Sequence, residues 1–420
     1  MIYRYQKVVI VSITITVALG IMITAFLVQD NVLADPQLVV VITTNDRFAA
    51  LDKKFSFFGQ PTFNDKGDII FSASIEDDSS PQGIFKSSPN GVVSKLVGSG
   101  DKTPLGGSFS TVVTPSANNN NEIFFLGLVN GGSSPQGIFK SSNGVISKVV
   151  AVGDATPLAG SFRELAFPTL SANNSGDFLF FNRSEQPPSP QGIFKSSNGV
   201  ISKVVVEGDP TPIGETFRNI RYGIRPMNDQ GDIVFTSYVP GGSSPQGIFK
   251  SSNGVISKVV LQGDLNSNGE AFSQFDPPSI NNQGDIVFFG GNTGIPSSKG
   301  VYNVSGGTIS KIISVGDGTP IGGTYYHMDT VSINDKGDIV FFGFIKDGKS
   351  DQGIFRISKN QTSQTILGET TPIGGSFSGM RIPIINNNGE VVFSSYVKDE
   401  KGTEGIFFMN PADSKLKLGS

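Results

Sequence analysis

Ser332-Ile333-Asn334-Asp335-Lys336-Gly337-Asp338-Ile339-Val340-Phe341 decides the fold, because degenerate copies of it run the length of the chain. Its Asn recurs at Asn64, Asn118, Asn173, Asn228, Asn281, Asn334 and Asn386, at spacings of 52 to 55 residues. A second phrase, Gln-Gly-Ile-Phe-Lys-Ser-Ser-Asn-Gly-Val-Ile-Ser-Lys-Val-Val, begins at Gln82, Gln136, Gln191 and Gln246 and returns in altered form at Lys299, Gln352 and Glu404. Residues 136–150, 191–205 and 246–260 are identical at all fifteen positions. Seven tandem units of one length exclude an ordinary two-domain reading of this 420-residue chain.

Each unit reads as four short strands. The first leads into the Asn, the second is the Gly-Asp-Ile-Val-Phe run, the third is Gly-Ile-Phe-Lys-Ser and the fourth is Val-Ile-Ser-Lys-Val-Val. Asn334-Asp335-Lys336-Gly337 and Asn143-Gly144 supply residues that tolerate tight turns between the apolar runs. The second strand is apolar at consecutive positions, as at Ile286, Val287, Phe288 and Phe289, which predicts burial on both faces. The fourth carries Lys95, Lys148, Lys203, Lys258, Lys311 and Lys415 at matching positions, with Gln364 in the remaining unit. A lysine inside an apolar strand keeps an open sheet edge from pairing with another chain. This places the fourth strand at the rim and the first near the axis. The expectation is an all-β, seven-bladed β-propeller of four-stranded blades, with another β-repeat array as the alternative. Residues 38–44 can pair with the last blade to close the ring, and residues 415–418 offer a second fourth strand there.

Composition agrees with a turn-rich β protein: 52 Gly, 24 Pro, 33 Phe, no Cys, no Trp and 16% charged residues. The formal charge of −4 carries no electrostatic footprint for nucleic acid. Residues 1–34 differ from the rest. Arg4 and Lys7 precede an uncharged run over residues 8–28, and Val32-Leu33-Ala34 offers small residues before Asp35. That pattern predicts an export signal, with a membrane anchor formed by residues 8–28 as the alternative, and leaves residues 35–420 outside the cytoplasm as a monomeric propeller.

The seven Asn-x-x-Gly phrases followed by Phe, together with Gly-Asp-x-Thr-Pro-Ile/Leu-Gly-Gly as at Gly316 to Gly323, resemble exported bacterial proteins built from N-x-x-G-x-x-F repeats. The chain is also similar to extracellular HAF-type repeat proteins. The resemblance covers residues 45–420 and implies a secreted, propeller-like protein with no activity to carry over. Asn121 replaces the Gly in one unit, and Asn266-Ser267-Asn268 replaces Thr-Pro-Ile/Leu in another.

Few chemistries survive inspection. The Asn-Asp-x-Gly-Asp clusters (Asn64 to Asp68, Asn228 to Asp232, Asn334 to Asp338) concentrate oxygens, but calcium needs six or more ligands, so turn chemistry is the better account and no cofactor is expected. Asp101, Asp154, Asp209, Asp264, Asp317 and Glu369 can form a ring of carboxylates or start turns, and turn initiation is preferred. His327 is the one histidine, and without cysteine the familiar triads and zinc sites lack members. It reads as a structural or rim residue.

The informative contrast is internal. Strands two to four are nearly uniform between units, whereas the segment before each Asn differs every time. In units three and four that segment is two residues longer and carries Arg163, Arg218, Arg221 and Arg225. If the first strand lies at the axis, these arginines, with Arg381 and His327 in later units, are the candidate ligand contacts, suited to carboxylate, sulfate or sugar-acid groups. The expected function is a non-catalytic scaffold for an envelope, polysaccharide or protein ligand. The alternative is a carbohydrate-active glycosidase, lyase or lactonase with an axial site of carboxylates and arginines.

Overall fold

The computed structural model describes residues 38–48, 52–76, 82–183, 191–241, 245–358, 361–366, 370–399 and 401–411. The expected export signal over residues 1–34, the alternative anchor at 8–28, Glu369 and residues 415–418 lie outside the described residues. No helix among the described residues is long and apolar enough to cross a membrane.

All regular structure is β, in seven sheets arranged as a seven-bladed propeller of four-stranded blades. Blade two shows the plan: Ser108–Ala117, Ile123–Asn130, Gln136–Ser142 and Val145–Ala151 pair in sequence order, antiparallel throughout. The other first strands are Lys53–Phe58, Leu165–Ala172, Arg218–Arg221, Gln274–Phe275, Thr324–Ile333 and Ser376–Met380. A bulge shifts the register between the third and fourth strands of blades one to five, as at Ile138/Phe139. Antiparallel order puts the Asn turns and the Asn-Gly hairpins at one end of the propeller and the Gly-Asp loops at the other.

The second strands are buried on both faces because each blade is packed between two others. Every apolar cluster draws on consecutive blades: Phe124, Leu126, Ile138 and Val150 of blade two, for example, pack against Phe162, Phe178, Phe180 and Phe194 of blade three. The last cluster joins Val392 and Ile406 of blade seven to Phe55, Phe71 and Phe85 of blade one, closing the ring. Within a blade three rings stack; Phe162 meets Phe194 edge-on at 5.1 Å, and Phe180 lies over Phe194 at 5.8 Å. Tyr302 and Tyr325 take the same role in blades five and six.

Closure is completed by the amino-terminal segment. Leu38–Thr43 pairs antiparallel with Glu404–Met409 and becomes the fourth strand of blade seven. Of the two expected closing segments, the structure uses this one. The seam between blades seven and one also carries Arg381, which donates to the Phe58 carbonyl at 3.0 Å and to the Tyr396 hydroxyl at 2.7 Å. Its guanidinium stands 2.8 Å from buried Glu404 as an ion pair rather than an aligned hydrogen bond.

The rim lysines of blades one to five lie on open edge strands, while Lys415 lies outside the described residues and Leu38–Thr43 takes the fourth place in blade seven; four of the five have carboxylate partners as well. Lys95, Lys148, Lys203 and Lys258 pair with Asp101, Asp154, Asp209 and Asp264, six residues later. Each of those aspartates also accepts from the backbone N–H three residues before it, at 2.8 to 2.9 Å, so turn initiation accounts for them.

Candidate functional site

The axis is built from the Asn turns. Each repeat Asn uses Oδ1 to accept the backbone N–H four residues on, at 2.8 to 3.1 Å, which fixes its own turn. Its Nδ2 donates to the carbonyl of the same Asn in the next blade, at 2.9 to 3.5 Å, from Asn64 round to Asn386 and back to Asn64. The amide carries the acceptor and the donor this requires on two separate atoms. These asparagines are buried, so the network is made in a medium where an unmade bond is costly.

A second girdle follows at the next position: Asp65, Asn119, Asn174, Asp229, Asn282, Asp335 and Asn387. Each backbone N–H in it donates to the Oδ1 of the following blade at 2.7 to 3.0 Å. Asn and Asp alternate wherever they can, so Asn282 donates to both Asp229 and Asp335, and Asn387 to both Asp65 and Asp335. Seven is odd, and the one place where alternation fails is Asn119 beside Asn174, which avoids two adjacent carboxylates.

Above this girdle the channel widens into a cavity of about 150 Å³, lined by the segments before the Asn in blades one, two, three, four and seven. Arg225 lies in its wall. The two extra residues of blade four end its first strand at Arg221 and let residues 222–226 fold inward, with Tyr222 buried and Ile224 and Arg225 on the cavity. Gly223 permits this, since a Cβ there would meet the Pro278 carbonyl at 2.5 Å. The Arg225 carbonyl accepts from Ile280 N–H of blade five at 2.9 Å. Its half-buried side chain then reaches blade seven, donating to the Ile385 carbonyl at 3.3 Å. Among the described residues this is the guanidinium's one hydrogen bond, and no carboxylate pairs with it.

The other candidates do not join Arg225. Arg163 and Arg218 are exposed at the start of their segments, and Arg221 lines a separate cleft between blades four and five, of about 260 Å³, with Tyr238, Gln274 and Asp276. Arg381 is committed to the seam. His327 packs edge-on against Phe289 at 5.1 Å and beside Phe344 at 5.5 Å. Burial holds its pKa below the ordinary value; Lys299 acts in the same direction and Asp329 against it.

Sequence reasoning passed over Asp276. It stands five residues before its Asn, as Asp329 and Arg381 do in the next two blades. Burial first, then the negative charge of Asp329, pushes its pKa up to about 6. That fixed offset was the available signal. The turn clusters, by contrast, have their oxygens committed: Asp68, Asp232 and Asp338 pair with Lys86, Lys250 and Arg356 of the third strands. Among the described residues no group of three or more acidic or histidine side chains is placed to hold a metal ion.

A model of a family of unknown function, DUF7453, matches residues 33–189 and again 164–418. The chain belongs to this family. No curated protein matches it. Solved structures similar to this DUF7453 member include a prolyl endopeptidase, 14% identical with a TM-score of 0.51 over 85% of this chain and 47% of that one. The DUF7453 chain thus spans about half the length of that enzyme. Polysaccharide lyase Uly1 is 11% identical, TM-score 0.44, over 84% and 89% of the two chains. A gluconolactonase from Xanthomonas campestris is 10% identical, TM-score 0.35, over 90% and 97%. At these identities the likeness is one of propeller fold.

Proposed function

We propose that this DUF7453 propeller is a ligand-binding protein that works outside the cytoplasm, taking an anionic group of an envelope, polysaccharide or protein ligand into its axial channel. The observation that supports it is Arg225: a half-buried guanidinium on a cavity, with one hydrogen bond and no carboxylate ion-paired to it among the described residues. Arginine presents five N–H donors in a planar fork, suited to carboxylate or sulfate. A leader removed after Ala34 would leave Asp35-Pro36-Gln37 ahead of the closing strand, so export and ring closure are compatible.

Arg225→Ala is expected to weaken binding of an acidic oligosaccharide by about 1.5 to 3 kcal/mol, the range for hydrogen bonds to charged groups, which is roughly tenfold to 150-fold in Kd. Lys349→Ala, which removes the same charge from an exposed loop, is expected to change little. A screen of acidic and neutral oligosaccharides at two salt concentrations measures both. Equal losses from the two variants would reduce the effect to net charge and defeat the proposal.

One observation favours a second reading, catalysis. Asp276, with a pKa near 6, and Asp329 on the next blade form a carboxylate pair in which one member is readily protonated, the arrangement a general acid and its partner require. Hydrolysis lost in Asp276→Asn, with Arg225-dependent binding kept, would support it. The same variant tests the electrostatics independently. A folded pKa raised from 3.8 to about 6 means that the stabilising contribution of neutral Asp276 is present below 3.8 and lost as pH rises through 6. Asp276→Asn is therefore expected to melt higher than the parent at pH 8, with the gap closing by pH 4. A gap independent of pH would show that the carboxyl is not buried against Asp329.

A further inference from the structure

We propose that the axial cavity binds a small zwitterion, a ligand with a carboxylate for Arg225 and an ammonium group for the girdle. This rests on Arg225 as the anion contact and names the rest of the ligand.

The cavity sets the size. At about 150 Å³ it has room for roughly five waters at ~30 Å³ each. That suits a free amino acid. Its apolar wall, with Pro61, Pro115, Ile224 and Ile384, would cover a short aliphatic body.

Charge sets the class. Asp65 and Asp229 line the cavity together with Arg225. Each carboxylate already accepts three N–H groups, one backbone and two from asparagine amides, out of about four lone-pair sites. Asp335 adds a third negative charge to the girdle on the same terms. Amides satisfy the oxygens without cancelling the charge, and the bases of the third strands are paired with other aspartates. A cavity in which, among the described residues, Arg225 is paired with no carboxylate, and which has carboxylates on its wall, disfavours a dianion, which the girdle repels, and a simple cation, which Arg225 repels. A molecule carrying both charges, oriented between them, meets both walls. Thr114, also on the wall, adds a separate sign: it holds φ at 47°, a strained value for a β-branched residue, and its shielded Oγ1 has no hydrogen-bond partner.

The test is titration calorimetry of the full propeller with glycine, β-alanine, 4-aminobutanoate and 5-aminopentanoate, each beside its N-acetyl and its carboxamide form. At least one amino acid is expected to bind tenfold or more tightly than both of its singly charged analogues. Arg225→Ala should lose tenfold or more for the amino acid and its N-acetyl form, and Asp229→Asn should bring the amino acid and its N-acetyl form to similar affinities. If the N-acetyl forms bind as well as the amino acids, and do so through Arg225, the zwitterion is wrong and the anion site stands. If no carboxylate-bearing probe binds, both fail. The parent protein's own preferences decide the matter, so poor folding of Asp229→Asn cannot shelter the proposal.

Discussion

Deletion of Leu38–Thr43 is expected to lower the melting temperature by roughly 6 °C and to leave a protein that self-associates. The six residues serve both faces of the closing blade. Ile42 is buried with Val41 against the blade-one cluster, and Leu38 and Val40 pack against the cluster shared by blades six and seven. Full burial of one such side chain is worth about 1.5 to 3 kcal/mol; with one fully and three partly buried, the strand contributes on the order of 5 kcal/mol before backbone hydrogen bonds are considered. That approaches the lower end of the ~5–15 kcal/mol that holds a whole domain together. The deletion also opens the ladder side of Glu404–Met409, a row of apolar residues without the lysine that guards the edges of blades one to five. Arg381, Tyr396 and Glu404 would remain at the seam. Calorimetry and size-exclusion chromatography on chains starting at Asp35 and at Thr44 test this. Equal melting temperatures and elution would show that the seam side chains close the ring without the strand.

The fold was legible because period, strand count and copy number each point to the same architecture, and because lysine in the fourth strand marked the rim. What the sequence concealed was the second use of residues that already had a sufficient first use. An Asn before Asp-x-Gly explains a turn so well that its bond to the next blade went unsuspected. The signal was invariance within the chain: a turn tolerates Asp or Gly at that position, yet all seven units have Asn. The lysines were read from their strand alone, although an Asp stands six residues after each of Lys95, Lys148, Lys203 and Lys258. The arginines are a different case. Arg218 stands exposed at the start of its strand, whereas Arg225, seven residues on, lies past the strand's end on the cavity. Arg225 enters the cavity because of the two-residue lengthening of its segment, which was visible, and because Gly223 lets that segment press on Pro278, which was not.

Asn282→Asp should be among the most damaging single substitutions in the protein, although it changes one amide to a carboxylate of the same shape. Asn282 Oδ1 accepts the Asp229 N–H at 2.7 Å, and Asp would keep that bond. Its Nδ2 donates at 2.8 Å to both Asp229 and Asp335. In the variant those two bonds become oxygen–oxygen contacts between carboxylates, and three negative charges stand in a row in a partly buried ring. Converting a satisfied buried network into unpaired charge costs about 3 to 5 kcal/mol. Parity predicts the ordering of related variants. Asn387, also between two aspartates, should behave like Asn282. Asn119 has an aspartate on one side and Asn174 on the other, so Asn119→Asp creates one carboxylate contact and should cost about half as much by this argument. Crowded carboxylates resist ionisation, so the variants should recover stability as pH falls and lose it again as pH rises through their raised pKa values. Melting curves of the three variants at pH 4.5 and 7.5 measure both trends. If Asn119→Asp is the worst of the three, or the deficits do not shrink in acid, the alternation of Asn and Asp around the axis is not an electrostatic device, because only repulsion between neighbours distinguishes positions that otherwise make the same backbone bond.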